Sequence, residues 1–339
     1  MLIRTPDYYE HFHCLAGDCP HTCCAGWEVV IDPETAAYYR QLPGDLGDRL
    51  RAALTEDEEG DCCFPLSDGD RCPFLDTDGL CEIHKQLGEA ATSLTCREHP
   101  RFTEDYGPFR EITLSASCPE ANRLLLASDA PLTFRERETD DPVEEGDGWL
   151  PALLPLRKRL MDILRDRSRP LYERLRTFLA LSLAAQERLE EAPDTLPASF
   201  FQNLRPGALP EIDGPGLFPD AFSVLRQLEP LNADWRPLLD QAAHTPKIAV
   251  PETALERIGC YTAFRYLLKC VNDGDLLSRA QLCVFAVLVT ERLAAVCGLP
   301  EALRRLACEI GHSEENLDAL LDAFWTVLPL ESFFSELSL

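Results

Sequence analysis

Ten cysteines fall within the first 118 residues of this 339-residue chain, at Cys14, Cys19, Cys23, Cys24, Cys62, Cys63, Cys72, Cys81, Cys96 and Cys118. A segment so rich in sulfur folds around disulfides, around a metal or cluster, or with its thiols free. Disulfides require an oxidising compartment. Residues 1–10 lack the apolar stretch of a secretory signal, so the reading is a reduced, cytoplasmic chain. Closely spaced thiolates meet on one metal ion or iron–sulfur cluster where a turn or a helix start folds them together. The expected ligand set is Cys14, Cys19, Cys23, Cys24, Cys72, Cys81, Cys96 and Cys118. Adjacent Cys23 and Cys24 are not expected to serve one centre, so one of them packs in the core or serves a second site. Buried free thiols and redox cysteines are the alternatives.

The length suggests two domains, because single cores seldom grow far beyond ~250–300 residues. A net charge of −26 argues against a nucleic-acid partner, which calls for a basic stripe. Much of the acid excess lies in residues 56–61 and 138–147, read as solvated loops. The most apolar run, 282–289, is bounded by Arg279 and Glu291 and falls short of the ~20 residues a bilayer span needs. It reads as a buried helix, and no membrane partner is expected.

The fold class expected is mainly α with little β. A cysteine-rich metal-binding region, 1–128, packs on a helical region, 149–339, across an acidic linker, 129–148, with the functional cleft between the two regions. In the first region Asp32 followed by Pro33 opens a helix. Residues 111–116 alternate as a strand, with 64–66 as a partner ahead of the Ser67-Asp68-Gly69 turn. This region reads as short helices and loops with little apolar core, so that metal would be needed for it to fold. From Trp149 onward apolar residues recur at helical spacing through 153–164 and 171–183, then through 221–228, 235–243, 254–270, 276–296, 300–310 and 314–328. A proline-rich interval, 192–219, reads as a loop. Cys260, Cys270, Cys283, Cys297 and Cys308 sit at apolar helical positions and read as small core residues.

His11, His13, His21, His84 and His99, five of the seven histidines, lie among the cysteines. They complete a mixed metal site or are exposed polar residues. Between Cys72 and Cys81, Asp78-Gly79 reads as a chain reversal that suits ligation. The segments Pro6-Asp7-Tyr8-Tyr9, Phe12-His13-Cys14, Asp18-Cys19-Pro20-His21-Thr22-Cys23-Cys24-Ala25-Gly26-Trp27, Cys72-Pro73-Phe74-Leu75, Gly79-Leu80-Cys81, Leu94-Thr95-Cys96-Arg97-Glu98-His99-Pro100-Arg101 and Leu114-Ser115-Ala116-Ser117-Cys118-Pro119-Glu120, with Arg265-Tyr266 and Glu309-Ile310-Gly311-His312 near the other end, carry a resemblance. Together they resemble the flagellin lysine-N-methylase family, part of a wider group with a CxxCxxxCC-type iron- or zinc-chelating region. The family commonly carries Glu at the position of Gly311, and Cys14-x4-Cys19 is one residue longer than the simpler chelating spacing.

The resemblance implies an enzyme that methylates flagellin lysines from S-adenosylmethionine, with an iron–sulfur cluster (4Fe-4S) or, alternatively, zinc. No glycine-rich nucleotide cradle is visible, so no pocket for the methyl donor is assigned. Methyl transfer needs a neutral lysine amine and a group to steer its proton. Glu309, His312, Tyr266 and Arg265 are the catalytic candidates. His312 could instead belong to a helix start with Ser313 as its cap. Arg97 and Arg101 are expected to hold the cofactor, pairing with a thiolate-bound cluster or a carboxylate, unless they are surface ion pairs. A non-enzymatic chelating protein and an iron–sulfur redox enzyme are the competing functions.

Overall fold

The computed structural model describes residues 1–26, 29–56, 60–67, 71–207 and 216–338. Trp27 of the cysteine motif, residues 57–59 of the first acidic stretch, the Asp68-Gly69 turn and residues 208–215 of the proline-rich interval lie outside the described residues. In chain order the first part contains β1 (Leu2–Pro6), β2 (Val29–Val30), α1 (Pro33–Gln41), α2 (Gly44–Ala53), β3 (Thr55–Glu56), β4 (Cys62–Phe64), α3 (Glu82–Leu87), α4 (Leu94–Glu98), β5 (Arg101–Asp105), β6 (Phe109–Leu114), α5 (Pro119–Leu126) and β7 (Phe134–Glu138). The rest is helical: α6 (Leu150–Leu164), α7 (Leu171–Leu189), α8 (Phe218–Gln227), α9 (Trp235–His244), α10 (Glu252–Tyr266), α11 (Leu276–Cys297), α12 (Leu299–Gly311), α13 (Glu314–Trp325) and α14 (Leu330–Glu336). The helix expected over 254–270 tightens after Tyr266 into a 3₁₀ segment, Leu267–Val271.

The strands form two sheets, ordered β5-β6-β1-β7 and β2-β4-β3. The strand expected around 111–116 is β6, but its partners are β1, parallel, and β5, antiparallel. Residues 64–66 do not pair with it, which corrects that expectation. Cys63 and Phe64 are both 2% exposed, and β4 is held between β2 and β3 by its own buried side chains. Residues 138–147 form the largely exposed, irregular connection expected, apart from Glu138, which ends β7. β7 closes the larger sheet against β1, Glu144 N donates to Gly107 O at 3.2 Å, and Arg110 faces Asp141 at 3.7 Å.

Two apolar cores follow. The smaller gathers Val29, Ile31, Tyr39, Leu50, Phe64 and Phe74, with the rings of Phe64 and Phe74 4.8 Å apart. The cysteine-rich segment therefore has an apolar core of its own, where loops around a metal were expected. The larger core runs from Tyr8, Phe12, Phe109 and Leu114 through Leu125 into every long helix after Trp149, so the four-stranded sheet and the helices share one interior. At its centre lies α11, 22 residues long and apolar enough by length and composition to cross a membrane. It is the helix expected over 276–296, ending one residue later. It is a core helix, packed against α7, α9, α10, α12 and α13, with Leu282 to Leu288 nearly all out of solvent.

The sheet is joined to the helices by a charge as well as by packing. Glu111 of β6 is 2% exposed and is bridged bidentately by the Arg157 guanidinium of α6, itself 7% exposed, with Arg4 at 3.7 Å. Removing one member of such a pair leaves the other charge buried and uncompensated. Arg157→Met should destabilise the chain by about 3–5 kcal/mol, whereas Lys158→Met, one residue along on the exposed face, should change stability by less than about 1 kcal/mol in denaturant melts.

Candidate functional site

The cysteine segment is organised by backbone hydrogen bonds. Cys72 N donates to Cys24 O at 2.8 Å, which lays the two cysteine runs side by side. After Cys72 the chain reverses through residues 76–79, where Asp76 Oδ1 accepts from Asp78 N and Leu80 N, both at 2.9 Å, and Gly79 takes φ +74°. Leu75 then pairs with Cys81 in an isolated bridge. This is the reversal expected at Asp78-Gly79, and it sets Cys72 and Cys81 beside Cys24. Cys96 joins them through Asp32, whose carboxylate caps α1 by accepting from Thr35 N (2.9 Å) and reaches across to Leu94 N of α4 (2.7 Å).

Two groups of thiols result. Cys72, Cys81 and Cys96 lie close enough to Cys24 to be raised by its charge, and Cys19 and Cys118 close enough to Cys14 to be raised by its charge, with Cys23 near both groups. Burial pushes Cys72 up to about 12 and Cys96 up to about 11. Cys14, Cys23 and Cys96 are nonetheless open to solvent. Peptide N–H groups oppose burial: those of Ile83 and His84 point at the Cys81 sulfur, those of Glu120 and Ala121 at Cys118, and that of Phe74 at Cys72. Such donors stabilise thiolate over thiol. Between the adjacent pair, a hydrogen bond from Cys23 lowers Cys24 and raises Cys23 itself. Among the described residues, no three His, Cys, Asp or Glu side chains converge at ligand distance.

Next to Cys118 and His99 lies a cluster of polar side chains from distant parts of the chain. The turn leaving β6 carries Ser115 and Ser117, whose hydroxyls are 2.7 Å apart, and Ser117 Oγ lies 2.8 Å from His312 Nε2. Ala116 N donates to the Tyr261 hydroxyl at 3.2 Å, and Arg265 Nη1 donates to the same oxygen at 3.1 Å. The Arg265 guanidinium lies 3.9 Å from the centre of the Phe102 ring and 5.2 Å from that of Tyr266. His99 meets His312 edge to face, with ring centres 5.9 Å apart. Burial holds both imidazoles down to about 4, helped at His312 by His99 and the Arg265 charge, so both are neutral at pH 7.

The structure thus brings His312, Arg265 and Tyr266 together. Glu309, on the same helix as His312, faces elsewhere. Its carboxylate accepts from Leu231 N (2.8 Å), Asn232 N (3.0 Å) and Asn232 Nδ2 (2.7 Å), anchoring the segment before α9. The capping at α13 belongs to Ser313, whose hydroxyl accepts from Asn316 N at 3.1 Å, and the His312 ring takes no part in it. Arg97 bonds the carbonyls of Ala90 and Thr92 below α4, while Arg101 donates to the Tyr9 hydroxyl at 3.2 Å and lies 5.5 Å from the centre of the Phe12 ring. His21 reaches Glu301 of α12 at 3.6 Å, tying the first cysteine loop to the helical part.

Three curated relatives share part of this sequence. It is 28% identical over 147 residues to the flagellar biosynthetic protein FliU of Salmonella muenchen, covering 41% of this chain and 85% of that protein. It is 29% identical over 145 residues to the lysine-N-methylase of Salmonella choleraesuis and 28% identical over 145 residues to that of Salmonella typhimurium, in each case covering 40% of this chain and 35% of the relative. Over part of its length this chain is similar to proteins named lysine-N-methylase. The match spans about a third of the length of those two proteins. No family model and no solved structure matches the chain.

Of the residues clustered around His312 and Arg265, sequence reasoning missed Ser115, Ser117, Phe102 and Tyr261. The two serines stood inside a motif it had singled out, separated by one residue as a turn can present two hydroxyls to one side. Nothing in the sequence marks Tyr261 and Phe102. A histidine whose folded value lies below its unfolded value of ~6.5 contributes stability that is present above that pH and lost as pH falls towards the folded value. His312→Gln should therefore lose less stability than the unaltered protein between pH 6.5 and pH 4, in melts recorded at matched ionic strength.

Proposed function

We propose that this chain transfers methyl groups from S-adenosylmethionine to lysine side chains of flagellin, in the cytoplasm before export, with a cysteine-bound iron–sulfur cluster beside the site of transfer. The observation that carries this reading is the neutral imidazole of His312, held by Ser117, which adjoins Cys118, in a chain similar over part of its length to lysine-N-methylases. The printed names of the relatives join lysine methylation to flagellar biosynthesis.

A lysine arrives as an ammonium ion and must lose a proton before its nitrogen can attack a sulfonium methyl group. The nitrogen–carbon bond forms as the carbon–sulfur bond breaks, and the sulfur leaves as a neutral thioether. His312 accepts the proton. Ser117, bonded in turn to Ser115, fixes the ring. The half-buried rings of Phe102 and Tyr266 exclude water from one side.

Thiolate sulfur is the donor a cluster takes, and peptide N–H groups directed at Cys72 and Cys81 favour thiolate, although no three of these side chains converge at ligand distance among the described residues. Cys24, Cys72, Cys81 and Cys96 would hold it, and Cys14, Cys19, Cys23 and Cys118 would form or complete a second centre. Bound there, the cluster would supply a redox-active, electron-rich neighbour to the methyl donor. Because the segment has its own apolar core, Cys96→Ser should remove the metal with only modest loss of stability, while Cys283→Ser, 1% exposed inside α11, should cost stability and leave the metal in place. Metal analysis and thermal melts of anaerobically purified protein check both.

Mass spectrometry of flagellin co-expressed with this chain tests the activity. Methylated lysines are expected with the unaltered protein, and His312→Ala should lower their yield about 10²-fold or more while the metal stays bound. A chain that binds metal and leaves flagellin lysines unmodified would favour the chelating reading.

A further inference from the structure

Six arginines of this protein are buried: Arg157, Arg174, Arg257, Arg265, Arg279 and Arg304. Five face a carboxylate. Glu111 neutralises Arg157, Glu256 neutralises Arg174, Asp7 lies 3.6 Å from Arg257, Asp273 pairs with Arg279, and Glu301 with Arg304. Arg265, 7% exposed, faces none among the described residues. The acid nearest in electrostatic reach is Glu104, which Lys269 already holds.

A guanidinium taken out of water without a counter-ion is costly, and its five N–H donors are costly to leave unused. Phe102 at 3.9 Å and Tyr266 at 5.2 Å offset part of this by facing the cation with π-electrons. Tyr261 takes one donor. Nη2 lies 3.6 Å from where a Cβ on Gly311 would stand, at the last residue of α12, and a helix end offers only about half a negative charge. Glycine at that position leaves the space beside the guanidinium unfilled. Gly311, His312, Phe102 and Tyr266 are all half-buried, so this edge borders surface that solvent can reach.

We infer that Arg265 is an anion-binding residue and that its counter-ion is a carboxylate carried in by the ligand. Arginine is suited to this because its planar fork bridges both oxygens of a carboxylate. Under the methylation reading two sources bring one: the amino-acid end of S-adenosylmethionine, or an acidic side chain beside the target lysine. The anion site itself stands on the missing partner of Arg265, independently of that reading.

Calorimetric titrations of the full-length, metal-containing protein under anaerobic conditions test this with two ligand pairs, each differing by one carboxylate. The first is S-adenosylmethionine against its decarboxylated form. The second is a lysine peptide with a neighbouring Glu against the same peptide with Gln. The unaltered protein should prefer the carboxylate member of one pair by tenfold or more, and that pair names the source. Arg265→Gln should abolish the preference. So should Gly311→Asp, which fits at ordinary contact distance and supplies the guanidinium with a carboxylate from within the chain, and its melting temperature should not fall. Lack of preference in both pairs, or a preference that survives both substitutions, overturns the inference. Equal binding of both forms of the methyl donor, with lysine methylation intact and no peptide preference, removes the anion site and leaves the methylation reading. Discrimination between the peptides, with neither donor form bound, keeps the anion site and removes S-adenosylmethionine as the donor.

Discussion

The turn from β6 into α5 holds the molecule together. In five residues, 114–118, it passes from a strand of the larger sheet to the residue that starts a helix, and every step is bonded to something distant in sequence. Leu114 enters the large core, Ala116 N is held by Tyr261 of α10, and Ala116 O accepts from Asn122 Nδ2, which also reaches Pro300 O at the start of α12. Ser117 meets His312, and Cys118 presents its sulfur to the N–H groups of α5. Buried backbone groups must find partners, and here those partners come from three different helices. The imidazole and the first cysteine group are therefore set relative to one another by the same turn that joins the sheet to the helices.

Burial then determines the chemistry of this junction. It keeps two imidazoles neutral at physiological pH and raises the thiols, while peptide N–H groups aimed at the sulfurs act in the opposite sense. Under the proposed reading, a neutral base stands next to thiols that would lose their protons on binding metal. Arg265 adds the only buried cation of the described residues without an acid, so the junction carries a positive charge although the whole chain is strongly acidic.

Much of the helical part was legible in the sequence because helices such as α6 and α7 bury one stripe, and the spacing of leucines through 153–164 or 171–183 records it directly. The end of α10 was not, because the passage to a 3₁₀ turn at Leu267 leaves no mark in the apolar spacing. β1 and β7 were missed for a different reason. Five residues such as Leu2–Pro6 carry too little periodicity to stand out, and Phe134–Glu138 alternates charges on an edge exposed to solvent. The partner of β6 was therefore sought in the wrong place. At the site, motif reading found His312, Arg265 and Tyr266, which one helix end and one helix face bring together. It could not separate Glu309 from them, because only the fold shows that three N–H groups of another segment occupy its carboxylate. Ser117 became visible only when a contact across 195 residues placed it on the imidazole.

The central claim is that this junction moves a methyl group to a lysine. The most direct measurement is a transfer reaction between purified partners, in which anaerobically isolated protein is incubated with unmodified flagellin and S-adenosylmethionine carrying an isotopically labelled methyl group. The account predicts labelled methyl-lysine in flagellin, dependent on this chain and on its bound metal. Metal-replete protein that leaves all of the label in the donor would contradict it.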